Sequence, residues 1–320
     1  MAEAESVVVG VDVGGTNIEV GAVDDRHRVL DRAKRHTPEG GPEEVLRVIA
    51  ELVESLDADS IAVGVGIPGV IHEGRALTVP NLVGWSEQVD LRVPLAERLG
   101  VPVVLGNDAN VGLLGEWAAG AGRGGRNVLG VWMSTGVGGG LILDGRPYTG
   151  TRGAAGEIGH VVVLAGGALC SCGRRGCAEA YAGRRSMRGA ATTMVDAGRK
   201  TSLFTIRDEE DKTKLTSKVW AEALDGGDAL AGELFDTAVE MLGVAIGSTI
   251  NLLDLDRVVI GGGLAEKLGQ DLADRLLEQS RPWMLQPSPD LQFLVSELGD
   301  DAGVVGAAVL ARAEITAGGA

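Results

Sequence analysis

From Val7 the chain runs as an apolar stretch, VVVGVDV, through GGT into a second stretch where Ile18, Val20 and Ala22 fall at every other position. That period of two predicts a hairpin over Val7 to Asp25. Val128 to Gly145, VLGVWMSTGVGGGLILDG, repeats the plan: strand, small polar and glycine turn, strand. Two copies of one supersecondary unit predict an internally duplicated chain. Between them, GPEEVLRVIAELVESL carries Val45, Ile49, Leu52, Val53 and Leu56 at helical spacing, with Pro42 in the first turn. Buried strands are expected at SIAVGVGIPG and at VPVVLGNDAN, which ends in Asn107 and Asp108. Farther on, 200–218 reads as a charged, exposed connection, followed by an apolar helix from about Glu233 to Leu253. Strand DRVVIGGG, one helix over AEKLGQDLADRLLEQ and a terminal small-residue helix, AGVVGAAVLARAEI, complete the pattern. Strands alternating with helices predict α/β layers, with a first domain over 1–109 and a larger one over 110–301.

Composition agrees. At 320 residues, 45% of them apolar, the chain exceeds one core and can fill two. No uncharged apolar run is long enough to cross a bilayer, and MAEAESVVVGVDVGG has neither the basic region nor the cleavage site of a secretory signal, so the cytoplasm is expected. A formal charge of −16 with no basic stripe argues against nucleic acid as a partner.

The loops Asp12 to Thr16, DVGGT, and Ser134 to Gly140, STGVGGG, both sit where one strand turns into the next. Glycine admits positive φ and lets a phosphate approach successive N–H groups, so Gly14, Gly15, Gly136 and Gly138 suit an anion-binding nest. Thr16 and Thr135 add hydroxyls, and Asp12 can hold magnesium through water. One such loop alone reads as an ordinary hairpin turn; two in a duplicated frame read as phosphate loops. GVGIPG, Gly64 to Gly69, fits a dinucleotide fingerprint literally, but Pro68 and VIHEGRALTVP open no helix. No Walker-type loop is present.

All three cysteines and one of four histidines fall in GEIGHVVVLAGGALCSCGRRGCAE, residues 156–179. His160, Cys170, Cys172 and Cys177 make the one-nitrogen, three-sulfur set that structural zinc favours, with no position left for a reactive water. Such a metal shapes a loop without catalysing. Glu157 and Glu179 flank the set, and carboxylates held that way can accept hydrogen bonds from a polyol. Asp108 sits just past a strand's carboxyl end, where α/β proteins gather ligands. It can be a general base or the N-cap of the helix beginning ANVGLLGEWAA; its place between two phosphate loops and the acidic loop favours the base.

The ordered set DVGGT, GIPG, NDAN, STGVGGG, GEIGH and CSCGRRGCAE closely resembles the ROK family (repressors, open reading frames and kinases), over nearly the whole chain. The resemblance implies the two-domain actin and hexokinase-like (ribonuclease H-like) fold. In it the C-terminal helix, about 302–318, completes the small domain, and the zinc loop belongs to the large one. It also implies Asp108 as the base, and sugar hydroxyls held by Gly69, Asn107, Asp108, Glu157, His160 and Glu179. Mg-ATP is held by the glycine loops, including Asp12, Gly14, Gly15, Thr16, Asn17, Ser134, Thr135, Gly136 and Gly138. Zinc is bound by His160, Cys170, Cys172 and Cys177, with the histidine's second ring nitrogen turned to the sugar. Asn17 stands where many members carry lysine, and AYAGRR where glucokinase-like members read closer to YASGRA. The intact CxC favours a glucokinase or an N-acetylmannosamine or N-acetylglucosamine kinase over a fructokinase. The expected activity is transfer of the γ-phosphoryl group of ATP to the sugar 6-hydroxyl, in a homodimer or homotetramer; a sugar sensor without turnover is the rival. With eleven residues before Asp12, the family's winged helix-turn-helix is not expected.

Overall fold

The computed structural model describes residues 6–318 except 80, 81, 83, 86 and 87. The first five residues of the stretch read above for a leader lie outside the described residues. In chain order the elements begin β1 (Val7–Val13), β2 (Asn17–Val23), β3 (Val29–His36), α1 (Pro42–Glu54) and β4 (Ser60–Ile67). Next come β5 (Val70–His72), β6 (Arg75–Thr78), β7 (Val89–Asp90), α2 (Arg92–Leu99), β8 (Val103–Asn107) and α3 (Asp108–Ala119). The middle of the chain forms β9 (Val128–Met133), β10 (Val137–Leu143), β11 (Arg146–Pro147), a 3-10 turn at Ile158–His160, α4 (Glu179–Ala182) and α5 (Arg184–Asp196). The rest is α6 (Leu203–Glu209), α7 (Ser217–Asp225), α8 (Ala229–Leu253), β12 (Arg257–Gly261), α9 (Gly263–Leu268), α10 (Gln270–Ser280), β13 (Gln292–Val295) and α11 (Asp301–Gly318).

Two five-stranded sheets carry the duplication. The first has the order β3-β2-β1-β4-β8 and the second β11-β10-β9-β12-β13. In the first, β1 pairs antiparallel with β2 and parallel with β4, and β4 pairs parallel with β8. The second repeats this, β9 running parallel to β12 and β12 to β13. The chain divides into two compact units: Met1–Gly124, Gly140–Ala155 and Glu297–Ala320 form one, and Gly125–Gly139 with Gly156–Ser296 the other. The first unit thus extends past residue 109, because α3 packs on α11.

Alternation in β1 sorts its side chains between two cores. Val9, Val11 and Val13 join Ile18, Val45, Ile49 and Leu95 under α1 and α2, while Val8 joins Val23, Ala62, Val304, Ala308 and Ala311 under α11. The small residues of α11 are there for contact. A Cβ on Gly64 would stand 1.8 Å from the Ala307 carbonyl oxygen, and one on Gly306 1.8 Å from that of Val111. Backbone therefore lies on backbone, which only side-chain-free positions permit.

Two expectations need correction. The 200–218 segment is not an exposed connection: it holds α6 and the start of α7, and Leu203 and Leu215 are buried. AEKLGQDLADRLLEQ is two helices, because Gly269, at φ +64°, ends α9 before α10 begins. Among the described residues no helix is long and apolar enough to cross a membrane.

Candidate active site

In the first unit the site grows from the ends of β1 and β8. Asn107 caps α3: its side-chain oxygen accepts from the Asn110 N–H at 3.0 Å. Asn107, and not Asp108, is therefore the cap, and Asp108 is the first helical residue. Asp108 Oδ1 accepts from its neighbour's N–H, Ala109, at 2.9 Å and from Asn107 Nδ2 at 3.1 Å. Asn107 Nδ2 also donates to the Gly69 carbonyl at 2.9 Å, tying the GIPG turn, where Gly69 has φ +107°, to the carboxylate. After β4 the chain turns into β5 and not into a helix, so GVGIPG is no dinucleotide motif here.

Asp12, near the end of β1, has its pKa raised to about 7, first by burial and then by Asp108, Glu19 and Asp300, against a smaller opposing pull from Lys34. Gly303 of α11 makes room for it: a Cβ there would stand 2.5 Å from the Asp12 carboxylate. The turn that follows is closed by Gly14 N–H donating to the Asn17 carbonyl at 2.9 Å. It is held from outside by Thr37, whose hydroxyl donates to the Gly14 carbonyl at 2.6 Å and whose N–H donates to that of Thr16 at 2.9 Å. Gly15 and Thr16 are exposed and Asn17 opens β2.

In the second unit, Ser134 to Gly136 join β9 to β10, and Gly138 lies at the start of β10. The Ser134 N–H donates to the Gly136 carbonyl at 2.9 Å, and the Val137 N–H donates to Glu179 Oε2 at 3.0 Å. None of Gly14, Gly15, Gly136 and Gly138 has positive φ. These four positions do not use glycine for left-handed backbone, contrary to the expectation drawn from glycine's freedom. At Gly136 the room is taken by Glu179, whose Oε2 would lie 2.4 Å from a Cβ.

His160, Cys170, Cys172 and Cys177 converge with one ligand atom each, all within 4.8 Å of one another. Cys172 and Cys177 Sγ are 3.7 Å apart, as are Cys170 Sγ and His160 Nδ1. Tetrahedral zinc with Zn–S near 2.3 Å sets S···S at about 3.8 Å, so the donor set fits a closed metal site. The loop is shaped for it by Cys170 N–H donating to the Arg174 carbonyl at 2.8 Å and by Gly176, at φ +85° with no room for a Cβ against the Leu164 carbonyl. Donation from Arg174 draws the Cys172 thiol down to about 6, while burial pushes Cys177 up to about 12.

Glu179 joins this cluster to the glycine loop. While its Oε2 holds Val137, its Oε1 accepts from the Ser171 hydroxyl at 2.7 Å and from Cys170 Sγ at 3.7 Å. Exposed Glu157 precedes the turn that carries His160, whose N–H donates to the Glu157 carbonyl at 3.0 Å. Sequence reasoning missed Ser171, Thr37 and Gly303. Ser171 sits in plain view inside CSC; the other two touch the site only through long-range contacts that no local motif announces.

The ROK family model matches residues 8–314, and the chain belongs to that family. A glucokinase of Halalkalibacterium halodurans is 33% identical over 95% of this chain and 94% of its own length. A glucokinase of Thermotoga maritima is 34% identical over 96% of this chain and 98% of its own. The crystal structure of a ROK family glucokinase from Streptomyces griseus in complex with glucose and AMPPNP superposes with a TM-score of 0.83, at 33% identity, covering 96% of this chain and 100% of that one.

Proposed function

We propose that the chain is an ATP-dependent hexose kinase acting on glucose. The observation that carries this reading is the state of Asp108: it follows the strand end, is oriented by Ala109 and Asn107, and is relieved of capping by Asn107. In the reaction, the Asp108 carboxylate takes the proton of the sugar 6-hydroxyl as that oxygen bonds to the γ-phosphorus of ATP. The bond from phosphorus to the β,γ-bridging oxygen breaks, and sugar 6-phosphate, ADP and a proton result. In the first unit, Asn107 and the Gly69 turn position sugar hydroxyls beside Asp108. Asp12, Gly14, Gly15, Thr16 and Asn17 face the donor phosphates, and Asp12 would hold the magnesium. Magnesium bound to the donor supplies neutralisation of charge on the β- and γ-phosphates. In the second unit, Glu157, His160 and Glu179 accept from or donate to sugar hydroxyls, and Ser134, Thr135, Gly136 and Gly138 offer donors to phosphate.

Zinc fits His160 Nδ1 and the three sulfurs, and its role is structural: it fixes the loop that carries Glu179, leaving the histidine's other nitrogen for the sugar. Similarity to two glucokinases and to a glucokinase structure with glucose supports glucose as the acceptor. The test is ADP release across a panel of hexoses and N-acetylhexosamines. Glucose should give the highest kcat/KM, and turnover on an N-acetylhexosamine alone, or on no sugar, would overturn the reading.

A further inference from the structure

Helix α5 begins directly beside the glycine loop of the second unit. The Arg184 N–H donates to the Ser134 carbonyl at 3.1 Å and the Arg185 N–H to that of Thr135 at 3.1 Å. A Cβ on Gly183 would stand 3.3 Å from the Gly136 Cα. The first turn of the helix is therefore fastened to three successive residues of the loop.

The residue at the head of that turn is out of place as a purely structural choice. Nε of Arg184 is buried and has no hydrogen-bond partner among the described residues. Burial alone moves its pKa, downward, with no carboxylate to oppose the shift. A cation in a helix's first turn also works against the macrodipole, and α5 has no acidic residue there to offset it. Keeping a guanidinium N–H from water without an acceptor is unfavourable unless an anion completes its hydrogen bond. A phosphate oxygen is that anion: it matches the guanidinium fork, and pairing is strongest where water is excluded.

We propose that Arg184 binds the donor's phosphate chain, its guanidinium supplying the positive charge that the backbone of Ser134 to Gly138 cannot. The proposal rests on the reading of that loop as nucleotide-binding. In this role Arg184 strengthens binding through phosphate and contributes nothing to recognition of the nucleoside.

Calorimetry on the full, zinc-loaded chain without sugar tests this, using ATP, ADP and adenosine with wild type, Arg184→Met and Arg184→Lys. Arg184→Met keeps length and apolar packing, so the loop stays supported; unchanged metal content and glucose affinity check this. ATP and ADP affinity should fall at least tenfold in Arg184→Met and recover in part in Arg184→Lys, while adenosine affinity stays within twofold. The dependence of ATP affinity on salt should also weaken by about one charge. If wild type binds ATP and Arg184→Met binds it equally well, the proposal is wrong while the nucleotide reading of the loop stands. Equal losses for ATP and adenosine also overturn it, because they indicate damage to the loop. If wild type binds none of the three ligands, the nucleotide reading itself falls, and the proposal with it.

Discussion

Replacing Asp12 by Asn should make the free protein more stable at pH 8 than the parent, by an amount that vanishes in acid. In the folded chain the Asp12 pKa is about 7, against 3.8 for the free side chain. The folded state therefore binds more protons than the unfolded state between those values, and wild-type stability falls as pH rises from about 4 through about 7. Above that range both states are ionised and the penalty is complete. Roughly three units at about 1.4 kcal/mol each set a ceiling near 4 kcal/mol. Asp12 is only half-buried, so about 2 kcal/mol is the working expectation. Asn keeps the shape without the charge. Thermal melts of both proteins without nucleotide or magnesium, from pH 4 to pH 9, should show the variant melting roughly 4–8 °C higher at pH 8. The curves should converge near pH 4, and the variant should be poorly active throughout, since on the proposed reading the same charge holds magnesium. A difference independent of pH, or a variant less stable than the parent at pH 8, would refute the reasoning.

Two further outcomes follow from the second unit. Glu179→Ala frees the Val137 N–H and the Ser171 hydroxyl together, so KM should rise for glucose and for ATP, each by roughly tenfold or more given about 1.5–3 kcal/mol for a charged hydrogen bond; steady-state kinetics in which only one KM moved would contradict the bridge. Cys172→Ser should lower zinc content, measured by elemental analysis, and weaken glucose binding, because a hydroxyl is a far poorer ligand than a thiolate and loop order is linked to metal binding; a metal-depleted variant that phosphorylated glucose like the parent would reduce zinc to a bystander.

Most of this arrangement was legible from pattern alone, and the misses have physical causes. The duplicated hairpins and the apolar face of α1 follow local periodicity, and the metal set follows from one histidine and three cysteines in one short stretch. Gly269 was invisible as a break because one glycine inside a helical pattern is tolerated as often as it terminates, and only the packing of α9 and α10 decides. The charges of 200–218 hid Leu203 and Leu215, which are too sparse to give a period but are buried. Asn107 and Asp108 are both capping residues by type, and backbone geometry alone assigns the cap to Asn107. The Glu179 bridge spans 42 residues to Val137, beyond any motif.

The central claim is that Asp108 is the base of a sugar kinase, and Asp108→Asn tests it most directly. The amide preserves size and can still accept from the Ala109 N–H, so fold, zinc content and glucose affinity should match wild type. Phosphoryl transfer should not: in a single-turnover assay with saturating glucose and Mg-ATP, the rate of glucose 6-phosphate formation should fall by about 10²–10⁴-fold, the usual worth of a positioned general base. A variant that binds glucose normally and phosphorylates it within a few-fold of the wild-type rate would contradict the account.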